Sequence, residues 1–270
     1  MIAKLFLALK NFAWFRRLAW RPIYNYLARR FPNPDWYFMN FGYVPSEHEV
    51  LLELKGGNLE IQKYQLQLYY YLVVKTEIEG KRILEVGSGR GGGAKYISEY
   101  LCPESYIGMD IAVTAVDLAN KLHHLPNLKF IQGNAEAIPL ADSSIDVVIN
   151  VESCHAYGSV ELFLKEVNRV LKPGGYLLLT DVRYTNEMDI LKSQLLSTGM
   201  DLIEEEDITL NVIKAIEAED KTKRERIDIL IPPKQQKLFA EFAGVIGSQM
   251  HINLKKRKRL YFRFVLKKQA

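Results

Sequence analysis

From Arg82 onward, short apolar runs alternate with longer stretches of helical spacing. Residues 82–86, 106–110, 129–132, 146–150 and 175–180 read as strands, each too short and too uniformly apolar for an amphipathic helix. Helical stretches between successive strands imply crossover connections and a parallel sheet. Beyond Thr180 the pattern predicts a helix near 187–197, a sixth strand at Leu202 and Ile203, and mostly helix over 209–248, broken at Pro232-Pro233. A last β-rich run, 259–267, is expected to close the sheet edge. Upstream, residues 1–31 read as amphipathic helices stopped by Pro32-Asn33-Pro34, and a further helix is expected around 58–77. The organisation predicted is α/β: a seven-stranded, mostly parallel sheet with helices on both faces. Residues 1–60 form a helical lid, and 61–270 form the core with a helical insertion at about 209–248.

Composition changes this picture in two places. With 48% hydrophobic and 25% charged residues, the 270-residue chain can fill one large core, and a net charge of +4 is too weak to argue for nucleic acid. The basic residues are unevenly placed, however. Lys4, Lys10, Arg16, Arg17, Arg21, Arg29 and Arg30 all precede the first acid, Asp35, and stand among Leu5, Phe6, Leu9, Phe12, Trp14 and Phe15. We read that segment as a lid lining an apolar acceptor pocket; peripheral contact of residues 1–31 with an anionic bilayer is the alternative. The run Lys255-Lys256-Arg257-Lys258-Arg259 reads as a solvated turn. Two cysteines, Cys102 and Cys154, without metal-ligand spacing indicate a reducing compartment and no metal site. No apolar run reaches the roughly 20 residues that cross a bilayer, so a cytoplasmic protein is expected.

The chemistry begins at Ile83-Leu84-Glu85-Val86-Gly87-Ser88-Gly89-Arg90-Gly91-Gly92-Gly93. A buried strand runs into glycines that admit positive φ and let a ligand lie against backbone N–H groups. Gly87, Gly89 and Gly92 satisfy the dinucleotide spacing, and Asp110, at the tip of the second strand, can accept two ribose hydroxyls. Those features suit NAD and S-adenosylmethionine equally. Glu85 favours the second, because an acid there opposes a pyrophosphate but suits a cationic sulfonium and amine. Gly133-Asn134-Ala135-Glu136 can frame an adenine ring, and Leu171-Lys172-Pro173-Gly174-Gly175 is a sharp turn from helix to strand.

As a set over roughly 80–181, these motifs resemble the class I, Rossmann-like methyltransferases that depend on S-adenosylmethionine. The resemblance implies that Gly87, Ser88 and Gly89 hold the methionine end of the cofactor. It places Asp110 on the ribose, Asn134 and Ala135 on the adenine, and Asn150 and Val151 along the methionine portion. The family usually has aspartate where Asn134 stands. A narrower resemblance starts at Asn150-Val151-Glu152-Ser153-Cys154-His155-Ala156-Tyr157 and returns at Phe242-Ala243-Gly244-Val245-Ile246-Gly247-Ser248-Gln249. It is to the phthiotriol/phenolphthiotriol dimycocerosate methyltransferases, which O-methylate a hydroxyl of a long polyketide-derived lipid. Sterol C-methyltransferases share the Glu-x-x-Cys-His pattern, but Phe38-Met39-Asn40-Phe41-Gly42-Tyr43 matches their aromatic, acidic segment poorly.

Methyl transfer needs an acceptor held in line with the sulfonium carbon and a group that takes its proton. His155 is the expected base, since imidazole titrates near neutrality, and Glu152 either orients it or holds the cofactor amine. His123 and His124 read as solvated, and Tyr43 as core packing rather than a cation–π cover on the sulfonium. The expected function is O-methylation of a small lipophilic hydroxyl compound. C-methylation of a sterol- or quinone-like lipid and non-catalytic binding of S-adenosylmethionine are the alternatives.

Overall fold

The computed structural model describes residues 38–46 and 62–270. The lid and membrane readings of 1–31, and the start of the helix expected at 58, lie outside the described residues.

Seven strands form one sheet in the order β3-β2-β1-β4-β5-β7-β6. They are β1 (Arg82–Val86), β2 (Ser105–Asp110), β3 (Leu128–Gln132), β4 (Ile145–Val151), β5 (Leu171–Tyr184), β6 (Asp201–Asp207) and β7 (Arg259–Lys267). The helices are α1 (Lys63–Val73), α2 (Gly92–Tyr100), α3 (Val113–Leu122), α4 (Val160–Val170), α5 (Thr185–Leu196), α6 (Thr209–Leu230), α7 (Pro233–Ala243) and α8 (Gln249–Lys255). Strands β1 to β5 pair in parallel, and β7 runs antiparallel to both β5 and β6. The last strand therefore does not close the edge; it enters between β5 and β6. The edge falls to β6, whose Glu204, Glu205 and Glu206 keep it polar. Two of those acids, Glu204 and Glu206, also neutralise the buried Arg263 of β7.

Alternation along each strand sends neighbours to opposite faces and builds two cores. Ile83, Val147, Ile149, Leu178 and Val265 pack with α1, α2 and α6 on one face. Leu84, Val148, Leu177, Leu179 and Phe264 pack with α4 and α5 on the other. A smaller cluster of Ile227, Ile231, Phe239 and Val245 joins α6 to α7. The Pro173-Gly174-Gly175 turn is a bulge inside β5. Leu171 pairs with Ile145, the pairing resumes at Tyr176 opposite Val147, and Gly174 adopts φ 77°.

The order reverses between β1 and β4, and parallel sheets open a ligand crevice at such a switch point, outside the carboxyl ends of the strands. One contact behind that crevice is unusually close. A β-carbon on Gly93 of α2 would overlap the Tyr69 ring of α1. Alanine normally gains about 1 kcal/mol over glycine within a helix. Here the overlap is with a buried aromatic ring, so overpacking decides the sign. Gly93→Ala is expected to destabilise the fold by about 1–3 kcal/mol in urea titration; a stabilised variant would show that the ring can move freely.

Candidate active site

The carboxyl ends of β1, β2 and β4 open on a cavity of about 390 Å³. One wall is the glycine loop. Gly87, Gly89 and Gly91 adopt φ of 81°, 54° and 78°, which lets the chain turn at once from β1 into α2. Gly87 and Ser88 donate their N–H groups to the Met109 carbonyl at 2.7 and 3.1 Å, binding the loop to β2. A β-carbon at Gly87 would strike Ser153, so the absent side chain is a packing requirement. Asp110 lines the cavity and accepts from Gly89 N–H and Ala112 N–H, each at 2.9 Å. The Ala112 bond fixes the turn that leads from β2 into α3. Burial raises the Asp110 pKa above the ordinary carboxylate value, and the backbone N–H groups oppose that shift.

Asn134 and Ala135 line the cavity in the loop after β3. Asn134 Oδ1 accepts the Glu136 N–H at 3.1 Å within that loop. Glu136 in turn accepts from Gly158 N–H and Ser159 N–H at 2.8 and 3.1 Å, joining this loop to the one after β4. Val151, Ser88, Gly87 and Gly89 also face the cavity. Ser88 Oγ is buried against Gly108 of β2 and has no hydrogen-bond partner among the described residues.

Glu85 and Asn150 lie one layer behind the wall, both fully buried. Glu85 accepts from Tyr69 OH at 2.7 Å and Tyr106 OH at 2.9 Å. Its burial pushes the pKa up to about 7 against the pull of those two hydroxyls. Asn150 Nδ2 lies 2.9 Å from the Val86 carbonyl, 2.8 Å from Ser153 Oγ and 2.9 Å from Tyr157 OH. Neither residue presents its side chain to the cavity. Both support the residues that do, Glu85 through Tyr69 and Asn150 through Ser153 and Tyr157.

On the opposite side stands His155, in a 3₁₀ turn at Cys154–Ala156, its side chain 27% exposed on the cavity. Its Nδ1 meets Asp181 Oδ1 at 2.7 Å. Asp181 lies in β5 beyond the expected end of that strand and is completely buried. Its Oδ2 accepts from Cys154 Sγ at 2.9 Å and pairs with Arg183 Nη2 at 3.0 Å. Burial alone would raise the Asp181 pKa; Arg183 and His155 outweigh it and hold the carboxyl well below the usual range.

Asp181, not Glu152, therefore orients His155. Glu152 turns away to a different task, at a backbone φ of 46° that few non-glycine residues adopt. Its Oε1 accepts both the Phe41 N–H at 2.7 Å and the Tyr261 hydroxyl, tying residues 38–43 across the sheet ends. Burial pushes its pKa up to about 8, against the opposing pull of those two donors. Tyr43, at the end of this strap, stacks on Tyr71 at 4.0 Å and is core. His123 is buried rather than solvated. It ends α3 and turns beneath the glycine loop, where its Nε2 lies 2.9 Å from the Arg90 carbonyl. His124 is exposed, and among the described residues no cluster of acids, histidines and cysteines could hold a metal ion.

Comparison with known proteins bears on this site. Residues 84–179 match the domain family described as "Methyltransferase domain". The chain is 35% identical to the phthiotriol/phenolphthiotriol dimycocerosates methyltransferase of Mycobacterium tuberculosis over 231 residues, 86% of this chain and 85% of that one. It is also 35% identical to a fatty-acid O-methyltransferase of Mycolicibacterium smegmatis over 195 residues, 72% and 70% of the two chains. Among solved structures, the cyclase SpnF superposes with a TM-score of 0.71 at 17% identity, covering 93% of this chain and 96% of that one. The cyclopropane synthase MmaA2 of Mycobacterium tuberculosis superposes at 0.67 and 13% identity, over 90% and 93%. Fold and site thus define a class I methyltransferase whose cofactor is S-adenosylmethionine. The chain belongs to the family of the phthiotriol/phenolphthiotriol dimycocerosates methyltransferases.

The Glu152 clamp makes a prediction in pH. A carboxyl whose folded pKa lies above its unfolded value favours the native state while protonated. That stability is present below the unfolded pKa of about 4.3 and is lost as pH rises toward the folded value. Glutamine keeps an oxygen for both donors and does not titrate. The stability difference between Glu152→Gln and the parent is expected to shift in favour of glutamine between pH 5 and 8, by on the order of 2 kcal/mol. Urea titrations at several pH values measure it, and parallel stability curves would contradict the assignment.

Proposed function

We propose that the chain O-methylates a hydroxyl of a lipophilic molecule, with His155 as the base. The observation that carries this reading is the 2.7 Å contact between His155 Nδ1 and a buried, ionised Asp181 at the cavity wall. With Nδ1–H donated to Asp181, the lone pair of Nε2 is left for an acceptor hydroxyl, and the carboxylate stabilises the ring once it carries two protons. Bound S-adenosylmethionine supplies a methyl group on a cationic sulfur. Nε2 of His155 would take the proton of the acceptor hydroxyl, and Asp181 would balance the charge the ring then carries.

Gly87, Ser88, Gly89, Asp110, Asn134, Ala135 and Val151 are the residues we assign to hold the cofactor, supported from behind by Glu85 and Asn150. Phe41, Val182, Phe242 and Met250 give the remaining wall an apolar character suited to a lipid-like acceptor. The relatives named for phthiotriol lipids and for fatty acids support the same acceptor class. Among the described residues no helix is long and apolar enough to cross a membrane.

Two variants test the base and its partner. His155→Ala is expected to lower kcat about 10²–10⁴-fold with cofactor affinity kept within a few fold. Near-normal turnover would remove His155 from the chemistry. Asp181→Asn removes the carboxylate that fixes the Nδ1–H tautomer of the ring, so kcat is expected to fall about 10²–10⁴-fold with cofactor affinity kept within a few fold. Mass analysis of the product separates an ether methyl from a carbon methyl, and a carbon methyl would favour the sterol- or quinone-like alternative.

A further inference from the structure

Arg259 opens β7 directly after four exposed basic residues, yet it is half-buried and lines the cavity. Its partners are few for such a cation. The guanidinium carbon lies 4.2 Å from the centre of the Tyr184 ring, and Nη1 meets only Met250 Sδ at 3.9 Å. Nε is buried without a hydrogen-bond partner, and among the described residues no carboxylate lies within 4.0 Å. Its neighbours in sequence and sheet differ: Arg257 is paired with Asp207, Arg183 with Asp181, and Arg263 with Glu204 and Glu206. The acids of the same cavity are engaged elsewhere. Glu241 accepts the Gln249 N–H at 2.9 Å, Glu152 holds Phe41 and Tyr261, and Glu136 holds Gly158 and Ser159. A half-buried guanidinium stacked on an aromatic ring, with its donors unspent, is a receptor for a planar anion.

We propose that Arg259 binds a carboxylate of the methyl acceptor, which makes the acceptor a hydroxylated lipid acid. The inference rests on the function proposed for this site. A carboxylate clamped by a guanidinium gives its charge and lone pairs to hydrogen bonds and becomes a poor nucleophile. It also has no proton for His155 to remove. The two groups therefore take separate ends of one ligand: hydroxyl at His155, carboxylate at Arg259, alkyl chain along Phe41, Val182 and Phe242. Arg259 pairs with Tyr184, three residues and roughly 10 Å beyond Asp181 along β5, and on the opposite face of the sheet, so the two groups meet the cavity from different sides. Several carbons must separate hydroxyl from carboxylate, and the carboxylate leaves the reaction unchanged.

The test uses the full chain, labelled S-adenosylmethionine, a long-chain mid-chain-hydroxylated fatty acid and the methyl ester of that acid. The parent is expected to prefer the acid by about 10–100-fold in kcat/KM, mainly through KM, as charge-assisted hydrogen bonds imply. Arg259→Gln should bring the acid-to-ester ratio toward one, and Arg259→Lys should keep part of it, with both variants folded by thermal melting. A parent indifferent to esterification, a ratio unchanged in Arg259→Gln, or methyl found on the carboxylate each overturns the proposal. If no hydroxylated lipid is methylated, the hydroxyl-methylation reading fails, and the anchor is judged alone by calorimetry with palmitate in the absence of S-adenosylmethionine. Tenfold weaker palmitate binding by Arg259→Gln upholds the anchor; equal binding refutes it.

Discussion

A carboxylate withdrawn from water at the end of β5 organises the reactive side of this molecule. Stripping Asp181 of solvent costs several kcal/mol unless every lone pair meets a donor or a positive charge. Arg183, Cys154 and His155 provide those partners, and the Val182 N–H adds a fourth contact at 2.8 Å. Satisfying the acid is the same act as fixing the imidazole. The 3₁₀ turn holding Cys154 and His155 can adopt few other arrangements without leaving a buried charge unpaired. Orientation of the base thus follows from electrostatic necessity in the core, not from contacts at the exposed rim.

The cofactor side obeys a similar logic with neutral groups. Burial pushes the Glu85 pKa up to about 7, and the two tyrosine hydroxyls that meet the acid behind the glycine loop oppose that shift. Tyr69 spans both roles, since its ring packs against Gly93 while its hydroxyl reaches Glu85. Asn150 similarly gathers Val86, Ser153 and Tyr157 at the end of the neighbouring strand. These buried polar contacts hold the glycine loop, Ser153 and Tyr157 in place, and their loss would be costly.

Much of this was legible in the sequence, for reasons that can be stated residue by residue. Short apolar runs separated by helical stretches led to the element order, and glycines at 87 and 89 carried their conformation in their identity. The motif order around Asp110 and Asn134 located the loops that meet at the cavity. What escaped was long-range pairing. Nothing local marks Asp181 as the partner of His155; parallel pairing of Val151 with Thr180 brings them together. Glu152 was expected beside His155 by proximity in sequence, but its φ of 46° turns it toward Phe41 and Tyr261. The placement of β7 between β5 and β6 was equally hidden, because an antiparallel strand and an edge strand share one hydrophobic pattern. Arg259 belonged to a run that composition reads as solvent-facing, and only its register opposite Tyr184 turns it inward.

The same fold houses a cyclase, SpnF, so the sheet and its glycine loop cannot by themselves select a reaction. Selection has to come from groups that the shared scaffold does not supply. The stretch matching the methyltransferase domain ends at residue 179 and contains the cofactor loops and His155. Asp181, Tyr261, Arg259, Phe242, Met250 and the Phe38–Phe41 strap all lie outside it, and they complete the remaining wall or hold what does. Glu152 links the two sets: its backbone lies within the shared part, while its side chain grips the strap and the last strand. Most of the proposed acceptor wall is thus carried by the segments from Asp181 onward and before α1. On the proposed reading His155 is the one acceptor-facing group carried by the shared frame, and the remaining acceptor wall comes from segments outside it.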